Sequence, residues 1–433
     1  MERKRGVAMV TEFFYPRCGG VEVHVLSLCK TLFSMNYHVI VITRYDQNHI
    51  GYELLDDTLP VYYLPLENMT MGTVFPYFFV WMPMLRRILL KEQIDIVHFH
   101  QCTSVMFYTS VRQCEVMNLR TVYTDHSLMD LNTLSGVMLN KMFRCYSCNL
   151  DAFICVSFAD CVNFLQRQRL STKPSNLYVI PNAVDASRFY EDSSHHPLAV
   201  HLRNLLDPTT ITLVVLSRLV PRKGVFLLAH VIDRLLAEYP FLIVLVGGSG
   251  EQETLLRSLS QRWRERSQRD RIVLLGEIRH EDVPAFLSCG DIFVSCSLTE
   301  SFNMTLLEAF VAGCMVVSTN VGGVSEVLPA EFCRFVEPSV GAVTKAVADC
   351  VEQCKKTPVV HPRTRTKEVE QILEMYNWKA IGFRLSQVYD DVMLRPRKTL
   401  RQRLKAFWNQ GLGSFLLLSL EWLVLVVLNV LVH

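Results

Sequence analysis

The chain reads as an α/β protein of two Rossmann-like domains in tandem, followed by a C-terminal transmembrane helix. Three observations predict this. Apolar runs of four to six residues alternate with helical stretches from Val7 to Ile180 and again from Ile211 to Ser318. Such runs are the mark of parallel strands covered on both faces. A polar stretch from Pro181 to Pro208 separates the two sets. Finally, Phe415 to Val432 holds eight Leu, five Val, one Phe and one Trp in eighteen residues, enough to cross a hydrocarbon core of about 30 Å as a helix. Two such α/β domains imply a cleft between them.

Length and composition agree. The 433 residues suffice for two ordinary domains. With 44 basic and 42 acidic residues the formal charge is only +2, which speaks against a nucleic-acid partner. After Arg5 only Val7 to Val10 are apolar before Thr11 and Glu12, too short a core for a secretory signal. Fourteen cysteines are scattered through predicted strands and helices, as at Cys29, Cys155 and Cys314. The Cys145/Cys148 pair has no second pair at zinc-site spacing. Dispersed thiols fit the reducing cytosol. So does Asn303, whose Asn-x-Thr sequon is compatible with function only where it escapes glycosylation.

In the first set, Val7–Val10 reads as a strand and Phe13 to Gly20 as the turn after it. A helix follows from Val21 to about Met35, with Val21, Val25, Leu28 and Leu32 on one face. Gly19 and Gly20 either let a ligand approach the backbone at an anion-favouring helix start or simply make a tight turn. Strands are predicted at His38–Thr43, Val61–Leu64, Ile94–Phe99, Thr121–Thr124, Phe153–Ser157 and Tyr178–Ile180. His126 follows one of these at its carboxyl end, where open parallel sheets bind ligands. The apolar stretch Phe75 to Leu85 is short and broken by Pro76 and Pro83. It reads equally as a core helix or as a segment dipping into a membrane interface.

The second set has strands at Ile211–Leu216, Leu242–Val246, Ile272–Leu275, Ile292–Ser295 and Met315–Ser318. Arg218 and Lys223 follow the first of them, one a planar fork and one a point charge suited to a diphosphate. There is no Gly-x4-Gly-Lys-Ser/Thr, and Gly247-Gly248-Ser249-Gly250 lacks dinucleotide spacing. The chain is organised around Ser297 to Phe310. Phe302, Leu306, Ala309 and Phe310 repeat at helical spacing, so a helix is predicted to begin near Phe302. Glu300 then lies in the loop before it and Glu308 about two turns along. The helix start suits a phosphate, one carboxylate suits sugar hydroxyls, and the other suits a ribose. No Asp-x-Asp occurs, so the cations and helix dipoles replace a divalent metal on the diphosphate.

Before the apolar tail, Arg395, Arg397, Lys398, Arg401, Arg403 and Lys405 put six cations in eleven residues. They orient the N-terminal body to the cytoplasm and draw it toward anionic lipid. In the tail, fourteen Leu, Val and Phe residues at about −0.3 to −0.6 kcal/mol each outweigh about +3 kcal/mol for Glu421. An acid within a span looks for a partner, so Glu421 points to another membrane protein in a shared assembly.

Taken together, Gly19-Gly20, Asp125-His126, Pro181-Asn182-Ala183-Val184-Asp185, Ser217-Arg218 with Lys223-Gly224, and Glu300 to Glu308 resemble the retaining family-4 glycosyltransferases of the GT-B fold. Thr124 to Leu128, Ser297 to Glu300 and Val316 to Gly323 look most like the PIG-A type, the catalytic subunits of phosphatidylinositol N-acetylglucosaminyltransferases. The resemblance runs from about Val7 to Val392. It implies UDP-N-acetylglucosamine (UDP-GlcNAc) as donor and phosphatidylinositol as acceptor. The implied reaction is the first step of glycosylphosphatidylinositol (GPI) anchor synthesis, on the cytoplasmic face of the endoplasmic reticulum membrane, within a complex of several subunits. It implies no cofactor and no metal. Glu300 and His126 are the implied catalytic residues. Gly19, Gly20, Arg218, Lys223, Asn303, Met304 and Glu308 are implied to bind the donor.

The implied domains are 1–190 for the acceptor and 209–375 for the nucleotide sugar. Residues 376–394 cross back to the first domain, 395–411 form a basic juxtamembrane segment, and 412–432 form the single span. One departure stands out: His100-Gln101-Cys102 replaces the usual His-Ser-His, so a second imidazole is missing there. Two rival readings are a different lipid acceptor, such as a dolichol-linked oligosaccharide, and a non-catalytic membrane scaffold. Offering labelled donor to each lipid separates the first, and the intact Arg218, Lys223, Glu300 and Glu308 argue against the second.

Overall fold

The computed structural model describes residues 3–15, 19–45, 48–65, 74–207 and 209–431. Residues 16–18 of the first glycine turn and Val432 of the terminal helix, both singled out from the sequence, lie outside them. Two compact units emerge: Met1–Pro181 with Trp378–His433, and Asn182–Asn377.

The first unit runs β1 (Gly6–Val10), α1 (Gly20–Ser34), β2 (His38–Arg44), β3 (Gly51–Leu55), β4 (Leu59–Leu64), α2 (Val74–Lys91), β5 (Ile96–His100), α3 (Val105–Val116), β6 (Arg120–Asp125), α4 (Leu134–Ser147), β7 (Ala152–Cys155), α5 (Phe158–Gln168) and β8 (Leu177–Val179). The second runs α6 (Ser187–Tyr190), α7 (Pro197–Arg203), β9 (Ile211–Leu216), α8 (Val225–Glu238), β10 (Leu242–Gly247), α9 (Glu253–Ser267), β11 (Ile272–Gly276), α10 (Val283–Leu287), β12 (Ile292–Ser295), α11 (Met304–Ala312), β13 (Met315–Thr319), β14 (Cys333–Val336), α12 (Val340–Lys356) and α13 (Lys367–Met375). The chain then returns to the first unit with α14 (Trp378–Leu394), α15 (Leu400–Trp408) and α16 (Leu412–Leu431).

The sheet of the first unit is ordered β3-β4-β2-β1-β5-β6-β7-β8, parallel throughout except for the β3–β4 hairpin at its edge. That of the second is ordered β11-β10-β9-β12-β13-β14 and is wholly parallel. Every residue of β1, β5, β6 and β9 is buried. Helices cover both faces of these strands, so no polar alternation interrupts them. Where α14 returns onto α1 the two pack closely enough to need glycine: a Cβ on Gly382 would stand 2.5 Å from Thr31 Cγ2.

Three sequence expectations change. The stretch Pro181 to Pro208 is not an open linker. It forms α6 and α7, buries Phe189, Ala199 and Leu202, and hydrogen bonds Arg188 to the His280 carbonyl at 2.6 Å and Tyr190 to the Arg363 carbonyl at 3.1 Å. Its polar residues cap and tie short helices rather than dissolve in solvent. The apolar stretch ending at Leu85 is part of α2, and Trp81, Met82 and Leu85 are buried core residues.

The basic juxtamembrane strip is half built into the fold. Arg395 bonds Asp391 at 2.5 Å and the Asp151 carbonyl at 3.1 Å. Lys398 bonds the Asn149 and Leu150 carbonyls at 2.7 and 3.1 Å, and Arg403 lies 3.9 Å from Glu115. Arg397, Arg401 and Lys405 remain exposed.

Among the described residues one helix is long and apolar enough to cross a membrane, Leu412–Val430, with mean hydropathy 2.0. Leu416, Leu420, Leu423 and Val427 form its exposed stripe. Its polar residues face the body instead. Asn429 accepts from Arg86 Nε at 2.8 Å and pairs reciprocally with Gln113 at 3.0 Å. Glu421 meets Tyr146 and Arg112 of its own chain. The acid expected to signal another membrane protein thus has partners here.

Candidate functional site

In the second unit β9 lies between β10 and β12, so successive connections run outward in opposite directions from it. Ligands of doubly wound sheets bind beyond the strand ends at such a switch point. The loops after β9 and β12 carry the residues singled out from the sequence. They approach so closely that glycine is obligatory. Gly224 has φ +67°, and a Cβ there would stand 1.9 Å from the Cys296 carbonyl oxygen. Gly248 has φ +129°, with the Ser217 carbonyl oxygen at the same 1.9 Å from its would-be Cβ.

That approach brings Lys223 onto Glu300 in a tight ion pair. Ser297 Oγ donates to Glu300 Oε1 at 2.9 Å, and the Gly323 amide donates to the Glu300 carbonyl at 3.0 Å. Arg218 stands exposed beside them. Burial, and then the charge of Arg218, hold the Arg222 guanidinium below its usual value. Two guanidiniums and an ammonium around one carboxylate leave net positive charge, which suits a diphosphate.

α11 begins at Met304, two residues later than expected from periodicity. The reason is Asn303, held in a left-handed conformation (φ 75°) that a helix does not admit. Asn303 Nδ2 donates to Ser295 Oγ at 3.1 Å, and its Oδ1 accepts from Thr305 Oγ1 at 2.7 Å. Phe302 instead packs edge-on against Tyr376, with ring centroids 5.7 Å apart. The free amides at the start of α11 form an anion site beside Glu300. Glu308 lies on the second turn, 7% exposed. Burial pushes its carboxyl up to about 7, with Arg188 pulling the other way.

In the first unit the carboxyl ends of the adjacent strands β5 and β6 carry His100 and, one residue past β6, His126. Gly19 is extended and precedes α1, whose first residue is Gly20. A Cβ on Gly20 would meet nothing within 4 Å, leaving room for a ligand. His126 is 8% exposed and belongs to a four-histidine cluster. His100 Nδ1 lies 3.0 Å from His126 Nε2, and His98 bonds Tyr389 Oη at 2.8 Å and Thr124 Oγ1 at 2.7 Å. The His24 ring meets His126 at 4.9 Å and Trp378 at 5.5 Å. Burial brings His24 down to about 4 and His98 to about 3, and it lowers His100 and His126 strongly as well. All four are therefore neutral at pH 7.

The missing second imidazole is thus supplied from elsewhere, by His24, His98 and His100. His98 and His100 stand two apart in an otherwise apolar strand, which is the signal that marked them as sharing a face. His24, His100 and His126 bring ring nitrogens within 4.8 Å of one another, a spacing able to hold a metal ion. The His100–His126 hydrogen bond commits one nitrogen of each of those two rings. Cys145 and Cys148 do not build a metal site: the Cys148 thiol donates to the Cys145 carbonyl at 3.1 Å.

The fold has close counterparts. Sucrose-phosphate synthase from Thermosynechococcus elongatus superposes with a TM-score of 0.72 at 20% identity, covering 90% of this chain and 99% of that one. Anabaena HepE, solved in complex with UDP and glucose, gives 0.70 at 16% identity, covering 89% and 99%. Residues 201–366 match the family "Glycosyl transferases group 1". Architecture and match together define the class, a glycosyltransferase of GT-B fold.

Residues 44–133 match the family "PIGA (GPI anchor biosynthesis)". The PIGA-type subunit of phosphatidylinositol N-acetylglucosaminyltransferase from Homo sapiens is 36% identical over 93% of this chain and 79% of its own. The corresponding gpi3 subunit of Schizosaccharomyces pombe is 32% identical over 97% and 89%. The Arabidopsis thaliana counterpart is 34% identical over 94% and 87%. This chain belongs to the PIGA family.

Proposed function

We propose that the chain transfers N-acetylglucosamine from UDP-GlcNAc to phosphatidylinositol, the first step of GPI-anchor synthesis, with retention at the anomeric carbon. The observation that carries this is the 36% identity to the human transferase subunit over 93% of the chain. The donor-side cluster at the β9/β12 switch point supports it. In this reading Arg218 and Lys223 neutralise the diphosphate, and the start of α11 at Asn303 and Met304 donates amides to it. Gly19 and Gly20 leave its approach open. Glu308 accepts from the ribose hydroxyls, Glu300 orders the sugar near its anomeric carbon, and His126 faces the reacting sugar. Positive charge fixed where the leaving diphosphate develops its own is the strongest catalytic device such a site has.

The likeness to proteins named as subunits supports partner subunits of a multisubunit transferase. α16 fits a membrane anchor. We place the catalytic units on the cytoplasmic face of the endoplasmic reticulum, with α16 as a single span when inserted.

The test restores this chain to microsomes from cells lacking the activity and supplies tritiated UDP-GlcNAc, with Glu300→Gln alongside. Label in phosphatidylinositol with the native chain and none with the variant is the expected result. Label in a dolichol-linked lipid instead moves the acceptor. Full labelling by Glu300→Gln refutes the role of that carboxylate.

A further inference from the structure

We infer that His100 is a positioning residue that holds His126 as a hydrogen-bond donor and leaves it no lone pair with which to act as a general base. The inference rests on the proposed placement of His126 facing the reacting sugar. What decides it is which ring nitrogen carries each proton.

The two rings face each other nearly in parallel, 5.3 Å apart with 24° between their planes, and are joined through His100 Nδ1 and His126 Nε2 at 3.0 Å. In a neutral imidazole one nitrogen is a donor and the other an acceptor. The bond therefore has two possible polarities, and the far nitrogen of His100 decides between them. His100 Nε2 is buried and has no hydrogen-bond partner among the described residues. If His126 were the donor, the proton of His100 would sit on that nitrogen as a buried, unpaired N–H, the rarer and costlier kind of orphan. With the proton on Nδ1, only a lone pair is left bare. His100 thus donates from Nδ1, His126 accepts at Nε2, and the proton of His126 sits on Nδ1.

The ring of His100 is itself held. His98 stacks on it at 4.4 Å with 28° between planes. Both nitrogens of His98 are occupied, one by Tyr389 of α14 and one by Thr124 of β6. A stack fixed at both nitrogens of its lower ring keeps the upper one from turning, and the polarity is locked. Burial of all four imidazoles in one cluster also opposes any protonated form that would erase the distinction. His126 accordingly meets an oxygen as a neutral N–H donor. The proton of the incoming hydroxyl has to be accepted by some other group.

The experiment is nitrogen-15 NMR of the full chain, purified with its membrane partners and labelled at histidine. His126→Gln assigns the signals. A pyrrole-type Nδ1 and a pyridine-type Nε2 for His126 are expected, whatever donor or acceptor the enzyme uses. A pyrrole-type Nε2, a protonated ring, or stoichiometric zinc bound to the purified protein overturns the inference. His100→Phe, which fills the space but cannot donate, is expected to release the tautomer and to lower kcat about tenfold, with KM within about twofold. His100→Asn restores a donor and is expected to recover most of kcat together with the wild-type signals. Failure of Asn to recover more than Phe, with both variants folded, also overturns it.

Discussion

Replacing Glu308 by Gln removes a titrating group from the interior of the second unit while keeping its shape. Burial raises this carboxyl from 4.5 to about 7, a shift worth about 3 kcal/mol at 1.36 kcal/mol per pH unit. Because the folded state holds the proton more tightly than the unfolded chain, its contribution is fully present below about pH 4.5. It is lost as pH rises to about 7 and stays lost above that. The wild-type chain should therefore lose on the order of 3 kcal/mol between pH 5 and 8 from this group, and Glu308→Gln should not. Thermal unfolding of the detergent-solubilised chain at those two pH values measures the difference. Binding of UDP gives a second reading. Ribose hydroxyls donate to a carboxylate, so bound nucleotide favours the charged form, and wild-type affinity should rise through pH 7 while that of Glu308→Gln stays flat and weaker. Parallel stability curves for the two proteins, or a UDP affinity equally independent of pH in both, would refute the reasoning.

Three further outcomes follow from the same geometry. Gly224→Ala puts a Cβ 1.9 Å from the Cys296 carbonyl oxygen in a left-handed backbone. It should cost at least about 1–3 kcal/mol of stability and raise the KM for UDP-GlcNAc, whereas unchanged melting would show that the loop has slack. Lys223→Met strips Glu300 of its cation and should weaken UDP binding about tenfold to hundredfold, as expected for one charge-assisted bond. An unaltered Kd by calorimetry would place the diphosphate elsewhere. Asn429→Leu makes α16 more apolar yet leaves the buried Gln113 unpaired. Membrane retention should hold while stability in detergent falls by about 1–3 kcal/mol, and no fall would mean that α16 leaves its seat in micelles.

The parallel strands were legible because burial on both faces leaves no polar residue to interrupt them. β3 and β14 were not: both are edge strands, and their mixed sequences, Gly-Tyr-Glu-Leu-Leu and Cys-Arg-Phe-Val, serve one buried face at most. Arg218, Lys223, Glu300 and Glu308 were legible as charges set just past apolar runs. Their grouping was not, since Lys223 and Glu300 are 77 residues apart and meet only because β9 and β12 are neighbours. The histidine cluster escaped for a related reason. Its members come from α1, β5 and the end of β6, and His98 and His100 sit inside a run read only for its apolar residues. The partners of Glu421 were hidden because α3 and α4 supply them from about three hundred residues away.

The return of the chain to its first unit has a consequence for biosynthesis. On the ribosome, the second unit is complete once Asn377 has emerged, but the first, begun earlier, still lacks Trp378 and Tyr389. Between Pro181 and Tyr389 some two hundred residues must be made, roughly 10 to 40 seconds at about 5–20 residues per second. For that interval the nascent first unit carries its imidazoles without the aromatic ring and hydroxyl that close over them. A premature stop just after Asn377 therefore spares the later unit and damages the earlier one.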